Sequence, residues 1–139
     1  MAFLDASVLL ASLDPEEASH RACDRLLSQG GHQIHSNSLA ETFSILTGGR
    51  KGQRFSAQTV AVLIEESLLP FVSVQTLTGK ELMQALKAAH QRGVRGGAVY
   101  DWLHLAAARK SGAERFYTLN QRDFQALARP GDPLVCAPD

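Results

Sequence analysis

Cysteine is nearly absent: Cys23 and Cys136 are the only two in 139 residues, and they lie far apart. A disulfide scaffold and a CxxC metal knot are thereby excluded. The two thiols read as small, mostly apolar residues of a reducing compartment. Five histidines share no HExxH or paired-ligand spacing, so no zinc motif is present. Neither sign of charge is in excess, because 14 Lys and Arg balance 14 Asp and Glu. No global field therefore draws the chain to a polyanion, and a nucleic acid would have to be held by a local patch, by cations, or by both. No apolar run is long enough to span a bilayer. The N-terminal apolar stretch is short, is interrupted by Asp5 and follows no basic segment, so neither a signal peptide nor a membrane span is expected there. The chain reads as cytoplasmic. Repeats, low-complexity linkers and long charge runs are also missing. What remains is 45% hydrophobic and 20% charged, the balance of one soluble domain over residues 1–139 with enough chain for a core.

Strand and helix signals alternate along the chain. Met1–Leu4 reads as a buried strand ending in an acid. Asp14-Pro15-Glu16-Glu17 has the cap, proline and acids of a helix start, for a helix through Cys23 and Leu27 that stops at Gly30-Gly31. His32–His35 is a short strand. Asn37 and Ser38 offer caps for a helix carrying Leu39, Phe43 and Leu46, ended by Gly48-Gly49. Residues 56–69 are helical, and 70–74 branch like a strand. Thr78-x-x-Glu81 is a capping box, opening a helix that Gly93, Gly96 and Gly97 break. Residues 98–110 form an alanine-rich helix with Val99, Leu103, Ala106 and Ala107 inward. Strand 115–118, helix 120–127 and strand 133–136 complete the chain. The alternation predicts an α/β fold with a mostly parallel sheet, whose sites form at the carboxyl ends of its strands.

Four acids fall at element ends. Asp5 follows the first strand, and by itself reads as an N-cap. Glu41 lies in Ser38-Leu39-Ala40-Glu41, which is also a capping box. Asp101 follows a glycine break near the start of the alanine-rich helix, where the helix N-terminus favours a carboxylate. Asp123 stands three residues after Asn120, a natural N-cap. Each position has a local explanation. Taken together, carboxylates sharing one crevice repel one another, and some would hold protons unless a cation relieved them. Magnesium prefers such oxygens and also binds phosphates, and a bound divalent ion can activate water and stabilise phosphoryl charge. The chemistry implied is phosphodiester hydrolysis.

The stretches Phe3-Leu4-Asp5-Ala6-Ser7, Ser38-Leu39-Ala40-Glu41, Gly96-Gly97-Ala98-Val99-Tyr100-Asp101 and Thr118-Leu119-Asn120-Gln121-Arg122-Asp123-Phe124 resemble, in order and spacing, the PIN-domain family. Within it they resemble the VapC-type toxins of toxin–antitoxin pairs. The resemblance covers nearly the whole chain, and the Gly-Gly-Ala-Val-Tyr-Asp stretch is its most distinctive part. It implies a three-layer α/β/α sandwich and a magnesium- or manganese-dependent endoribonuclease, homodimeric and neutralised by a cognate antitoxin, with RNA as substrate. It implies catalytic roles for Asp5, Glu41, Asp101 and Asp123. Asp5, Asp101 and Asp123 would hold the metal, directly or through water, and Glu41 would orient or deprotonate the attacking water. Ser7, Thr118 and Asn120 would support the carboxylates by hydrogen bonding. Many family members carry an aspartate where this chain has Asn120, so either Asn120 or Asp123 would face the metal.

Arg92 and Arg95 flank the glycines before Asp101 and are candidates to grip RNA phosphates. Arg50, Lys51 and Arg54 form a second basic group, and each residue taken singly reads as solvated surface. His104, at i+3 from Asp101, reads as structural. Tyr100 and Trp102 read as packing residues. Residues 56–69 carry apolar surface that either completes the core or serves dimerisation or antitoxin binding. A rival to the enzyme is a PIN-like assembly module with structural acids, favoured only by the zero net charge. A divalent-metal titration separates the two.

Overall fold

The computed structural model describes residues 1–49 and 54–139. Arg50 and Lys51 of the second basic group lie outside the described residues. Five strands, β1 (Ala2–Leu4), β2 (His32–His35), β3 (Val72–Gln75), β4 (Arg115–Tyr117) and β5 (Leu134–Cys136), form one sheet in the order β3-β2-β1-β4-β5. Every pairing is parallel, with Phe3 opposite Gln33 on one side and Phe116 on the other. Seven α-helices accompany them: α1 (Ala6–Leu13), α2 (His20–Ser28), α3 (Ser36–Gly48), α4 (Ala57–Ser67), α5 (Gly79–Ala88), α6 (Ala98–Ser111) and α7 (Gln121–Leu127).

Successive side chains of a strand point to opposite faces, and the two cores follow from this. Phe3 and Phe116 stack at 5.8 Å and pack with α5, α6 and α7. Leu4 and Ile34 pack with α1, α2 and α4, while Leu39, Phe43 and Leu46 of α3 close over that cluster. The result is the expected three-layer α/β/α sandwich, and its sheet is wholly rather than mostly parallel.

Two local expectations are corrected. Asp14-Pro15-Glu16-Glu17 is a turn, not a helix start, and α2 begins only at His20. Asp14 ends α1, and its carboxylate accepts from the Glu16 N–H at 3.0 Å. Such a side-chain-to-backbone bond competes with the helix. The reversal is also required because α1 and α2 pack against each other. His20 Nδ1 lies 2.8 Å from the Ala11 carbonyl and ties the turn down. The second correction concerns α6. It is buried on more than one stripe, with Trp102, Leu103, His104, Leu105, Ala107 and Ala108 all inside, because it packs on β2, α5 and α7 at once. The Thr78–Glu81 capping box forms as expected.

Candidate active site

The carboxyl ends of β1, β2 and β4 lead into the segments that line one cavity of about 350 Å³. Its wall includes Asp5, Ser7, Glu17, Glu41, Asp101 and Asn120. The parallel sheet brings Asp5, Ser7 and Asn120 to one edge, since β1 and β4 end there; Glu41, Asp101 and Glu17 join them from α3, α6 and the turn between α1 and α2.

Asp5 caps α1 and is buried. The Ser7 hydroxyl and the Ser7 N–H both donate to its Oδ1. The Thr118 hydroxyl donates to Oδ2 at 2.9 Å. The hydroxyls are themselves held, Ser7 Oγ accepting from the Leu119 N–H at 3.0 Å and Thr118 Oγ1 from the Asn120 N–H at 2.9 Å. Burial raises the Asp5 carboxyl from the ordinary aspartate range to about 6, against the pull of the two hydroxyl bonds. The capping reading and the cavity reading of Asp5 are therefore both true of one side chain.

Glu41 does not close a capping box on Ser38. The helix starts two residues earlier, at Ser36, and the buried Ser38 hydroxyl has no partner among the described residues. The Glu41 carboxylate turns instead to α6, where its Oε1 lies 2.7 Å from His104 Nε2. Asp101 sits in the first turn of α6 behind Gly96, whose φ of 58° suits a residue without a Cβ. Its carboxyl is raised by burial first. The charge of His104 opposes this, while Glu41 and Asp123 raise it further by like-charge repulsion.

Asn120 is the N-cap of α7 by position, but its side chain makes no capping bond and lines the cavity. Asp123 is exposed, absent from that wall, and felt at Asp101 through its charge. Of the two, the structure thus brings Asn120 to the wall and leaves Asp123 beside it.

Three further placements differ from the sequence reading. Arg92 donates to the Ala128 carbonyl and lines a separate concavity with Arg109 and Arg129, while Arg95 is exposed. Neither lines the acidic cavity. Trp102 packs as expected, its Nε1 donating to the Ala85 carbonyl at 2.7 Å beneath the Arg129 guanidinium. Tyr100 does not pack. It is 56% exposed and lines, with Asn37, Ser44 and Asp101, a groove of about 840 Å³ that shares Glu41 and Asp101 with the acidic cavity. Its place one residue before Asp101, outside the buried run of α6, is the signal that would have found it. Glu17 was missed altogether, because it reaches the cavity only through the turn that replaced the expected helix start.

Among the described residues, no three His, Cys, Asp or Glu side chains are gathered closely enough to form a ready-made metal cage. Magnesium does not demand one: it keeps several waters and commonly binds through one or two carboxylates. The donor set fits such an ion. All the acids on the wall are hard oxygen donors, and Asp101 is raised partly by its acidic neighbours, a repulsion that a cation relieves.

A layered α/β sandwich with acids at the carboxyl edge of a parallel sheet defines the class to which this chain is assigned by comparison. The PIN-domain family model matches residues 2–130. The chain belongs to the PIN-domain family, the nuclease family that its four acidic stretches resemble. Comparison with curated protein sequences gives no match. Among solved structures, the chain is similar to VapC20 of Mycobacterium tuberculosis, described as a sarcin–ricin loop cleaving toxin. The TM-score is 0.70 and the identity 22%, over 94% of this chain and 100% of that one. It is similar also to FitAcB of Neisseria gonorrhoeae (TM-score 0.65, 18% identity, 97% and 96% covered). A third is VapBC2 of Rickettsia felis bound to a promoter DNA fragment (TM-score 0.63, 17% identity, 99% and 98% covered). At these identities the likeness is one of fold.

Proposed function

We propose that this chain is a magnesium- or manganese-dependent endoribonuclease, the toxin of a toxin–antitoxin pair. The observation that carries the reading is the convergence of Asp5, Glu41 and Asp101 on one cavity, drawn from three separate elements. Structural roles explain any one of these acids, but not their shared wall, where Asp5 and Asp101 are raised above the ordinary carboxylate range.

In this reading Asp5 and Asp101 hold the cation, directly or through water, and Asp123 adds negative charge beside them. A bound divalent ion supplies a Lewis acid for phosphoryl oxygen and a more acidic water. The protein's own groups do the rest. Ser7 and Thr118 fix both Asp5 oxygens. Glu41 accepts a proton from the attacking water as the water oxygen bonds to phosphorus. The bond from phosphorus to the leaving oxygen breaks, and that oxygen takes a proton from solvent. The groove beside the cavity, with exposed Tyr100 on its wall, offers a path for a single strand and an aromatic face on which a base can stack. Arg92 and Arg95 are assigned at most to outlying phosphates.

The antitoxin proposal is supported by the neighbours, two of which are FitAB and VapBC2 assemblies carrying DNA. An apolar concavity of about 490 Å³ between α1, α3 and α4, lined by Leu10, Leu13, Ile45, Leu46, Phe55 and Leu63, is the surface we assign to the antitoxin or to a second copy of the chain in a homodimer. No described helix is long and apolar enough to cross a membrane.

The test is cleavage of a broad RNA pool by purified protein with magnesium or manganese, against EDTA and beside Asp101→Asn. Cleavage that requires both the metal and Asp101 is expected. Equal cleavage by both proteins would sink the assignment.

A further inference from the structure

The proposed chemistry leaves without a role a buried polar side chain that touches one of its acids. His104 is 1% exposed, in the middle of α6, yet its Nε2 reaches 2.7 Å to Glu41 Oε1 on α3. The contact joins the two helical layers across the carboxyl edge of the sheet. We infer that His104 is a positioning residue: its Nε2–H holds the Glu41 carboxylate over the cavity in the orientation that receives the proton of the attacking water. The inference rests on the nuclease reading for the use of that orientation, but the contact itself does not.

Four observations support it. An ionised carboxylate only accepts, so the hydrogen of this bond belongs to Nε2. His104 Nδ1 is buried with no partner among the described residues. A proton there would be an unpaired buried donor, which folded chains avoid, so the ring's hydrogen is placed on the side facing Glu41. The ring is also held from behind. His35, the last residue of β2 and the N-cap of α3, meets it edge to face at 5.3 Å and 87°. Finally, the Glu41 carboxylate makes this bond and no capping bond, since Ser38 lies inside α3, which begins at Ser36.

The consequence is geometric. Glu41 is partly exposed, with 38% of its side chain accessible, and a free glutamate at such a site would sample several rotamers. Tying Oε1 to a buried ring leaves Oε2 as the carboxylate oxygen available to the cavity that Glu41 lines. Displacing a reacting group by about 1 Å costs on the order of 10²-fold in rate.

The test uses the full chain and has two arms. Long-range nitrogen–proton NMR of the imidazole rings is expected to show His104 with its proton on Nε2, slow to exchange, and to lose that protection in Glu41→Ala. A proton on Nδ1, or no effect of Glu41→Ala, overturns the contact whether or not the protein is a nuclease. In the cleavage arm, His104→Leu is expected to lower kcat by about 10- to 100-fold. KM for RNA and the magnesium-induced rise in melting temperature should stay unchanged. His104→Gln, whose amide nitrogen can take the place of Nε2, should recover most of the loss. In a Glu41→Gln background, His104→Leu should cost nothing further. Full activity of His104→Leu, no rescue by Gln, or additive losses in the double variant overturns positioning. Should His104→Leu fail to fold, the Gln variant and the ring spectrum still decide. Absence of metal-dependent cleavage in the wild-type chain sinks the nuclease reading and leaves the spectrum to judge the contact.

Discussion

On the proposed reading, Asp5 serves folding and chemistry with opposite energetics. Its carboxylate caps α1, yet burial lifts it to about 6. With the folded value above the unfolded one, the stability linked to this group is fully present below the unfolded value near 4 and is lost as pH rises through about 6. Asp5→Asn is therefore expected to raise the metal-free melting temperature at pH 7.5, by the equivalent of order 1–3 kcal/mol, while cutting cleavage by roughly 10²-fold or more. Thermal melts and cleavage rates on the same preparation check both signs. A loss of stability together with activity would mean that the hydroxyl bonds outweigh burial. His35 has the opposite linkage. Burial holds it down to about 4, so its contribution is present above its unfolded value near 6.5 and is lost as pH falls through 4. His35→Gln should flatten that part of the acid limb. Because the two groups oppose each other between pH 4 and 6, each is read against its own variant.

At the scale of elements, the capping signals decide what was legible. Thr78-x-x-Glu81 forms the box that its spacing predicts, and Glu81 is further held by Lys110 from α6 at 2.7 Å. Thr78→Ala is expected to cost about 1 kcal/mol of stability, the usual loss at an N-cap, and a denaturant titration with unchanged slope would show it. Lys110 and Thr78 depress the Glu81 carboxyl to about 2, so its share of stability should be lost as pH falls below the ordinary glutamate range. Ser38-x-x-Glu41 carries the same signature and does not close. The difference is where the helix begins: α3 starts at Ser36, so Ser38 is not its cap and the Glu41 carboxylate is left to a buried ring from α6, whereas Thr78 is the N-cap of α5 and Glu81 binds its cap and Lys110 together. Asp14-Pro15-Glu16-Glu17 fails for a related reason, since α1 and α2 must reverse there to pack on each other. The strand 115–117 and the alanine-rich helix at 98 were legible because apolar runs and glycine breaks act locally.

For the whole molecule, the balance of charge sets how RNA can be held. With a net charge of +0 and neither Arg92 nor Arg95 on the cavity wall, the proposed RNA substrate would make few phosphate contacts with the described residues at the cavity. The logarithm of the RNA binding constant should therefore fall with the logarithm of salt with a slope of only about −1 to −2, matching two or three phosphate contacts at roughly −0.7 each for a single strand. A filter-binding series with calcium in place of magnesium would measure it, and a slope several-fold steeper would point to basic contacts beyond the described cavity wall. Magnesium should also stabilise the fold by mass action. That gain should disappear in an Asp5→Asn, Asp101→Asn double variant.

The sequence by itself determined the class of fold, because alternating apolar strands and capped helices leave few ways to bury both faces of a parallel sheet. It also determined that Asp5, Asp101 and Asp123 stand at element starts, though not that Glu41 lies a turn inside α3. Only the tertiary structure decided which of them share a wall. Asn120 and Asp123 are three residues apart in one helix start, and the packing of α7 alone brings Asn120 to the cavity and leaves Asp123 beside it. Glu17 and the bond between Glu41 and His104 likewise had no local signature. Side chains from separate elements meet through the register of the sheet and the packing of its two helical layers, and those long-range contacts leave no mark on the spacing of residues along the chain.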